Sequence, residues 1–159
     1  MSGAPRSMPV GTESGAARDE ISIRQTLDRY AAAIHAKDAK AVIACLSEDV
    51  VAYDLAPPLA FDSAAARDAA GLQKWFDTWQ GPIRSAVRDL HIEVGGGVAF
   101  AYALQHMTGT KLDGENVDLW FRATAGLIKA AAGWRIAHLH NSVPFAMDGS
   151  GKALLDLKP

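Results

Sequence analysis

The closing segment Trp134-Arg135-Ile136-Ala137-His138-Leu139-His140-Asn141-Ser142-Val143-Pro144 holds the densest group of reactive side chains in the chain. If it is a strand, Trp134, Ile136, His138, His140 and Ser142 alternate onto one face. That face starts apolar and ends in two imidazoles and a hydroxyl, as a strand leaving a core for a pocket requires. Imidazole titrates near neutrality, so His138 and His140 can act as acid or base, with His106 as a third candidate. The competing reading is a pair of hydrogen-bonded core histidines. His-x-His on a strand can also chelate a metal, with His106 as third ligand. No Asp, Glu or Cys at ligand spacing accompanies them, so no metal and no cofactor is expected.

Earlier in the chain, Tyr30, Asp38 and Asp54 form a spaced set. In an apolar cavity a carboxylate such as Asp54 loses solvation and becomes a better base. Otherwise it caps the turn at Ala56-Pro57-Pro58. Tyr30 can present its phenol to a developing oxyanion; as a core residue it would bond a neighbour. Asp118, Trp120 and Arg122 share a face by alternation. Arg122 in a cavity would favour a carboxylate or other anion, or would pair with Asp54 or Glu93. Trp75 and Trp79, with Phe76, Trp120 and Trp134, can line an apolar small-molecule site. The expected set is therefore Asp54, Tyr30 and His140 for catalysis, with Trp75, Trp79, His106, Trp120, Arg122 and His138 on the ligand.

The elements that must position these residues read as helices first and strands last. Asp19 is a candidate N-cap for a first helix carrying Ile23, Leu27, Tyr30 and Ile34. Asp38 caps a short second helix. Asp49 to Leu55 reads as a strand ended by Ala56-Pro57-Pro58. Asp62-Ser63 opens a third helix running to Gln80, broken by Gly81-Pro82. Strands follow at Ser85 to Val94, Val98 to Thr110 and Asn116 to Ile128, then the closing segment. This order predicts an α+β fold, three helices packed on a strongly curved, mostly antiparallel sheet. On the third strand of the chain, Ala101, Ala103, Gln105 and Met107 read as the outer sheet face, suited to a homodimer interface.

The 159 residues suffice for one domain with a full core. The expected division is an arm at residues 1–18, a domain at 19–146 and a tail at 147–159. A net charge of -2 with no basic stripe argues against a nucleic-acid partner. No apolar run reaches membrane-spanning length, and the Gly/Ala/Ser/Pro-rich start has no signal-peptide h-region. The lone Cys45 excludes an intramolecular disulfide and fits a reducing, cytoplasmic setting.

The segments Asp28-Arg29-Tyr30-Ala31-Ala32-Ala33-Ile34-His35-Ala36-Lys37-Asp38 and Leu46-Ser47-Glu48-Asp49-Val50-Val51-Ala52-Tyr53-Asp54 resemble the nuclear transport factor 2-like superfamily. That superfamily includes the ketosteroid isomerases and the SnoaL-like proteins, and the resemblance covers roughly Arg18 to Phe145. It implies a conical cavity, Tyr30 as oxyanion donor and Asp54 as proton-shuttling base. It also implies a second oxyanion donor on the penultimate strand, where Trp120 or a neighbour stands instead of the carboxylic acid of the isomerases. The ending Trp134…His138-Leu139-His140…Ser142 is similar to SnoaL-like proteins and to the association domain of calcium/calmodulin-dependent kinase II, an oligomerisation module. The expected activity is cofactor-independent proton transfer beside a carbonyl of a small apolar or carboxylate-bearing ligand. The alternative is a non-catalytic ligand-binding or oligomerisation module.

Overall fold

The computed structural model describes residues 11–159, with side chains from residue 15. In chain order the elements are α1 (Gly11–His35), α2 (Ala39–Ala44), β1 (Leu46–Tyr53), α3 (Ser63–Ala66), α4 (Ala69–Phe76), β2 (Trp79–Gly95), β3 (Val98–Lys111), β4 (Asn116–Ala130) and β5 (Gly133–Ser142). The strands form one unclosed sheet in the order β1-β5-β4-β3-β2. Only the β1–β5 pair is parallel. The predicted α+β architecture is therefore the observed one.

Helix α1 buries Ile23, Thr26 and Ala33 and half-buries Leu27 and Tyr30, the three- and four-residue spacing of one helical face. It starts at Gly11, so part of the expected arm is helical, and residues 1–10 lie outside the described residues. Asp19 is thus inside the helix and does not cap it. Its Oδ1 instead accepts from Lys129 Nζ at 2.8 Å and from Trp134 Nε1 at 3.1 Å, fastening α1 to the β4–β5 hairpin. Those hydrogen bonds, Lys129 first, hold the Asp19 carboxyl below the usual carboxylate range. A depressed folded-state pKa stabilises the fold above the unfolded value and stops doing so as pH falls through the folded one. Asp19→Ala should therefore lower the thermal midpoint at neutral pH. The gap from wild type should close as pH is lowered through and below about 4, read by thermal melts across pH.

Asp38 caps α2, its Oδ1 accepting from Ala41 N at 3.0 Å. The expected helix from Asp62 to Gln80 is two helices, because two aspartates compete for the backbone. Asp62 caps α3, and Asp68 caps α4 by accepting from Gly71 N at 3.0 Å. The break aims Arg67 at the Leu46 and Ser47 carbonyls, 3.1 and 3.0 Å away. There β1 departs from regular pairing between Leu46 and Val51. Strand β2 starts at Trp79, earlier than predicted, and takes up Gly81-Pro82 as an irregularity between Gln80 and Arg84. Gly81 sits at φ +71, which glycine adopts without strain.

Two core clusters lie between the helices and the inner face of the sheet. One joins Ile23, Leu46, Val50, Ala101, Leu127 and Trp134; the other joins Ala33, Val42, Phe76, Trp79 and Ile83. Tyr30 packs against both. The tail folds back, with Ala146 N bonded to Lys152 O and Leu154 N to Pro144 O, each at 2.8 Å. Among the described residues no helix is long and apolar enough to cross a membrane.

Candidate active site

The faces of the sheet follow from its register, because directly paired residues point the same way. The β3–β4 ladder is unbroken from Val98↔Ile128 to Thr110↔Asn116. Ala99, Ala101, Ala125 and Leu127 are buried in the first cluster, so their alternation defines the inner face. Ala103, Gln105 and Met107 continue it on β3, and Ala123, Phe121, Leu119 and Val117 on β4. The expectation for β3 was the reverse. Phe100 and Tyr102 are 50% and 44% exposed on the outer face, whereas Ala101 is 3% exposed in the core. Ala99 and Ala101 fit into the cluster that holds Ile23, Leu127 and Trp134, and the larger Phe100 and Tyr102 side chains turn away from it.

A similar inversion affects the closing strand. Ile136 pairs with Leu127, but His138 pairs with Gly126, so Ala137 is an extra residue, a β-bulge. The bulge shifts the alternation by one. Trp134 and Ile136 point inward, then Leu139 and Asn141, which pair with inward Ala125 and Ala123. His138, His140 and Ser142 point outward, opposite Gly126, Thr124 and Arg122. A Cβ built on Gly126 would lie 3.4 Å from the His138 Cβ, which places both on one side. His138 Nδ1 donates to Val51 O at 2.8 Å, and the Tyr53 ring packs edge-on against both imidazoles.

The other ligand candidates also leave the interior. His106 and Trp120 pair on the outer face and stack at 4.4 Å. His106 Nε2 donates to Asp118 Oδ1 at 2.6 Å, holding that carboxyl below its ordinary range. Arg122 is exposed on the same outer face and makes no ion pair with Asp54 or Glu93 among the described residues. Trp79 is buried in the second cluster under the Lys111 ammonium, and Trp75 is exposed beside it. Among the described residues no group of three His, Cys, Asp or Glu converges as metal ligands would.

Tyr30 and Asp54, by contrast, both stand on the inner side, Tyr30 half-buried on α1 and Asp54 exposed at the end of β1 rather than enclosed in an apolar cavity. Ala52 pairs with inward Leu139, and Asp54, two residues on, reaches inward Asn141. Asn141 Nδ2 donates to Asp54 Oδ1 at 3.2 Å, and the Leu55 backbone N donates to the same oxygen at 2.7 Å. Oδ2 accepts no hydrogen bond among the described residues. Burial, then the Asp54 charge, pushes the Tyr30 phenol well above its ordinary pKa. The phenol therefore stays protonated, a hydrogen-bond donor and not a base.

Between the two clusters the inner face carries Ala103 and Gln105 on β3, Ala123 and Phe121 on β4, and Asn141 on β5. All are only half-buried and belong to neither cluster. This half-buried strip lies on the same face of the sheet as Asp54 and Asn141. Two open surface grooves, of about 330 Å³ along the Glu93–Phe100 end of the β2–β3 hairpin and about 550 Å³ beside Lys74 and Lys111, lie away from it. Asn141 and Gln105 were not expected as site residues. A bulge hid the first. For the second, the one available signal was a glutamine amid Ala101, Ala103 and Met107 on one strand face.

The model of the SnoaL-like domain matches residues 23–146, which include the second half of α1 and every element from α2 to β5. The chain belongs to the SnoaL-like family of NTF2-like proteins. Solved structures agree. An NTF2-like protein of unknown function from Pseudomonas putida KT2440 is 29% identical, with 93% of this chain and 99% of that one covered at TM-score 0.76. An NTF2-like protein from Streptomyces avermitilis, provisionally named a dehydratase, is 13% identical at TM-score 0.72, with 82% of this chain and 99% of that one covered. A protein from Novosphingobium aromaticivorans DSM 12444, provisionally named a scytalone dehydratase, is 13% identical at TM-score 0.73, covering 91% and 96%. At such identities the last two share the fold alone with this SnoaL-like chain. No protein of curated function matches its sequence.

Proposed function

We propose that this SnoaL-like protein binds a small, mostly apolar carbonyl compound against the inner strip and moves a proton beside the carbonyl without a cofactor. The observation that carries this reading is that Tyr30 and Asp54 stand on one side of the sheet, near enough for the carboxylate charge to act on the phenol, with Asn141 bonded to one oxygen of the carboxylate. Asp54 Oδ2 takes a proton from the carbon next to the carbonyl. The electron pair moves onto the carbonyl oxygen, and the Tyr30 O–H donates to the resulting oxyanion. Return of the proton to a different carbon gives isomerisation. Loss of a β-hydroxyl, which leaves with that proton as water, gives dehydration. The fold neighbours provisionally named dehydratases fit the second outcome.

A non-catalytic module would have Arg122 locked to Asp54, and the outward course of Arg122 speaks against it. With Arg122 outside, support for a carboxylate on the ligand is lost, and a neutral ligand is proposed. Incubation of the full chain with 2-tetralone in D2O, followed by proton NMR, tests the reading. Catalysed loss of the α-proton signals is expected, and exchange at the buffer rate would refute it.

We also propose a homodimer through the outer sheet face. It is supported by the exposed ladder of His91, Tyr102 and Phe100, whose rings stack at 5.0 and 6.2 Å, and by Tyr53 beside His138 and His140. Large apolar and aromatic surface of this kind marks an interaction site. A Phe100→Glu/Tyr102→Glu variant should stay folded and sediment as a monomer where wild type sediments as a dimer. A monomeric wild type would end this proposal. The free, buried Cys45 supports a reducing, cytoplasmic setting.

A further inference from the structure

The outer sheet face gathers His91 on β2, His106 on β3, and His138 and His140 on β5. His106 has a counter-charge at hand, Asp118 Oδ1 at 2.6 Å. His138 and His140 have none: among the described residues neither pairs with a carboxylate. Their rings lie 6.4 Å apart, centre to centre. His138 Nδ1 donates to Val51 O, so the neutral ring leaves Nε2 bare, and an added proton would go there. Around the pair the register sets Val51 and Tyr53 on β1, and Gly126 and Thr124 on β4. The charged side chains next along β4 and β5 on this face are cations, Arg122 opposite Ser142 and Arg135 opposite Ile128. On β1, exposed Asp49 stands two residues before Val51 and reaches neither imidazole as an ion pair. The tail's Lys158 acts on Asp118. The helices pack on the opposite face and bring no acid to the pair.

We infer that the outer-face dimer is a pH-sensitive assembly, formed while His138 and His140 are neutral and released when they gain protons. The inference rests on the homodimer reading above and adds its regulation. A two-fold interface carries the same patch from both copies, so it contains two such pairs. Neutral imidazoles edge-on to Tyr53 are flat groups that a partner can cover at little cost. A protonated one would leave water with no counter-ion, beside a second imidazole and Arg122. In the free protomer the same charge stays hydrated. Protons therefore bind the monomer better than the dimer. By linkage, a fall in pH through the range where imidazoles titrate favours the monomer, and a rise favours the dimer.

Sedimentation velocity of the full chain at about pH 7.5 and about pH 5.5 tests this, with circular dichroism to follow the fold. One proton taken up per protomer should raise the dimer Kd by about 100-fold between the two. The Asp19 carboxylate, held below its ordinary range, stays ionised throughout, so its contribution to the fold does not change. His138→Asn/His140→Gln keeps an amide donor near Val51 O and cannot titrate. It should dimerise at both pH values with Kd changed by less than about threefold. His106→Gln should keep the full dependence, because Asp118 already answers that charge within the protomer. A wild-type dimer whose Kd does not move, or a dependence that survives in the double variant, would overturn the inference and leave the dimer standing. A wild type that is monomeric at both pH values would end both, so the two failures are distinguishable.

Discussion

Replacing Asp54 by Asn should slow α-proton exchange of 2-tetralone by about 10²–10⁴-fold, the usual contribution of a positioned general base. The amide keeps the shape of the carboxylate. Its oxygen can still accept from Leu55 N and from Asn141 Nδ2. What it lacks is an oxygen able to take a proton, so binding should persist while exchange is lost. Tyr30→Phe removes only the donor to the oxyanion and should cost about 10²–10³-fold. His140→Ala should leave exchange unchanged, because the bulge at Ala137 turns that imidazole to the outer face. Near-wild-type exchange in Asp54→Asn, or its loss in His140→Ala, would move the base from one face of the sheet to the other.

The second large effect separates the two sides of β3. Ala101→Glu should unfold the protein or lower its stability by more than about 4 kcal/mol, because it puts an unpaired charge into the cluster around Ile23, Leu127 and Trp134. Phe100→Glu, one residue away, should cost little, since Phe100 is exposed on the other face. Chemical denaturation of the two variants gives the comparison. Similar stability losses for both would contradict the assignment of faces.

The fold was legible in the chain because helical spacing in Ile23, Leu27, Tyr30 and Ile34, and alternation from Val98 onward, each fix an element type. The order of the elements then leaves few architectures. Element ends were harder. Asp19 looks like a cap, but Lys129 and Trp134, distant in sequence, claim its carboxylate. Asp68 interrupts what composition reads as a single helix.

The face that each candidate residue occupies was legible for only part of the set, and the rest missed for one reason. Alternation says that residues share a face, not which face. In β3 both sets read as plausible interiors, one small and one aromatic, and only packing into the cluster around Ile23, Leu127 and Trp134 selects the alanines. In β5 a single unpaired residue, Ala137, reverses the face of everything after it. That slip sent His138 and His140 outward and brought Leu139 and Asn141 in. His106, Trp120 and Arg122 were placed on the wrong side by the same ambiguity. Tyr30 and Asp54 escaped it, because a helix residue facing the core and a strand-end residue beside β5 have their direction set by neighbouring packing.

The claim on which the rest depends is that ligand lies on the inner strip. Intermolecular NOEs from the aromatic protons of bound 2-tetralone measure this directly. The account predicts contacts to the Ala103 and Ala123 methyls and to the Phe121 ring. Contacts to the rings of His106, Trp120, His138 or His140 instead would contradict it.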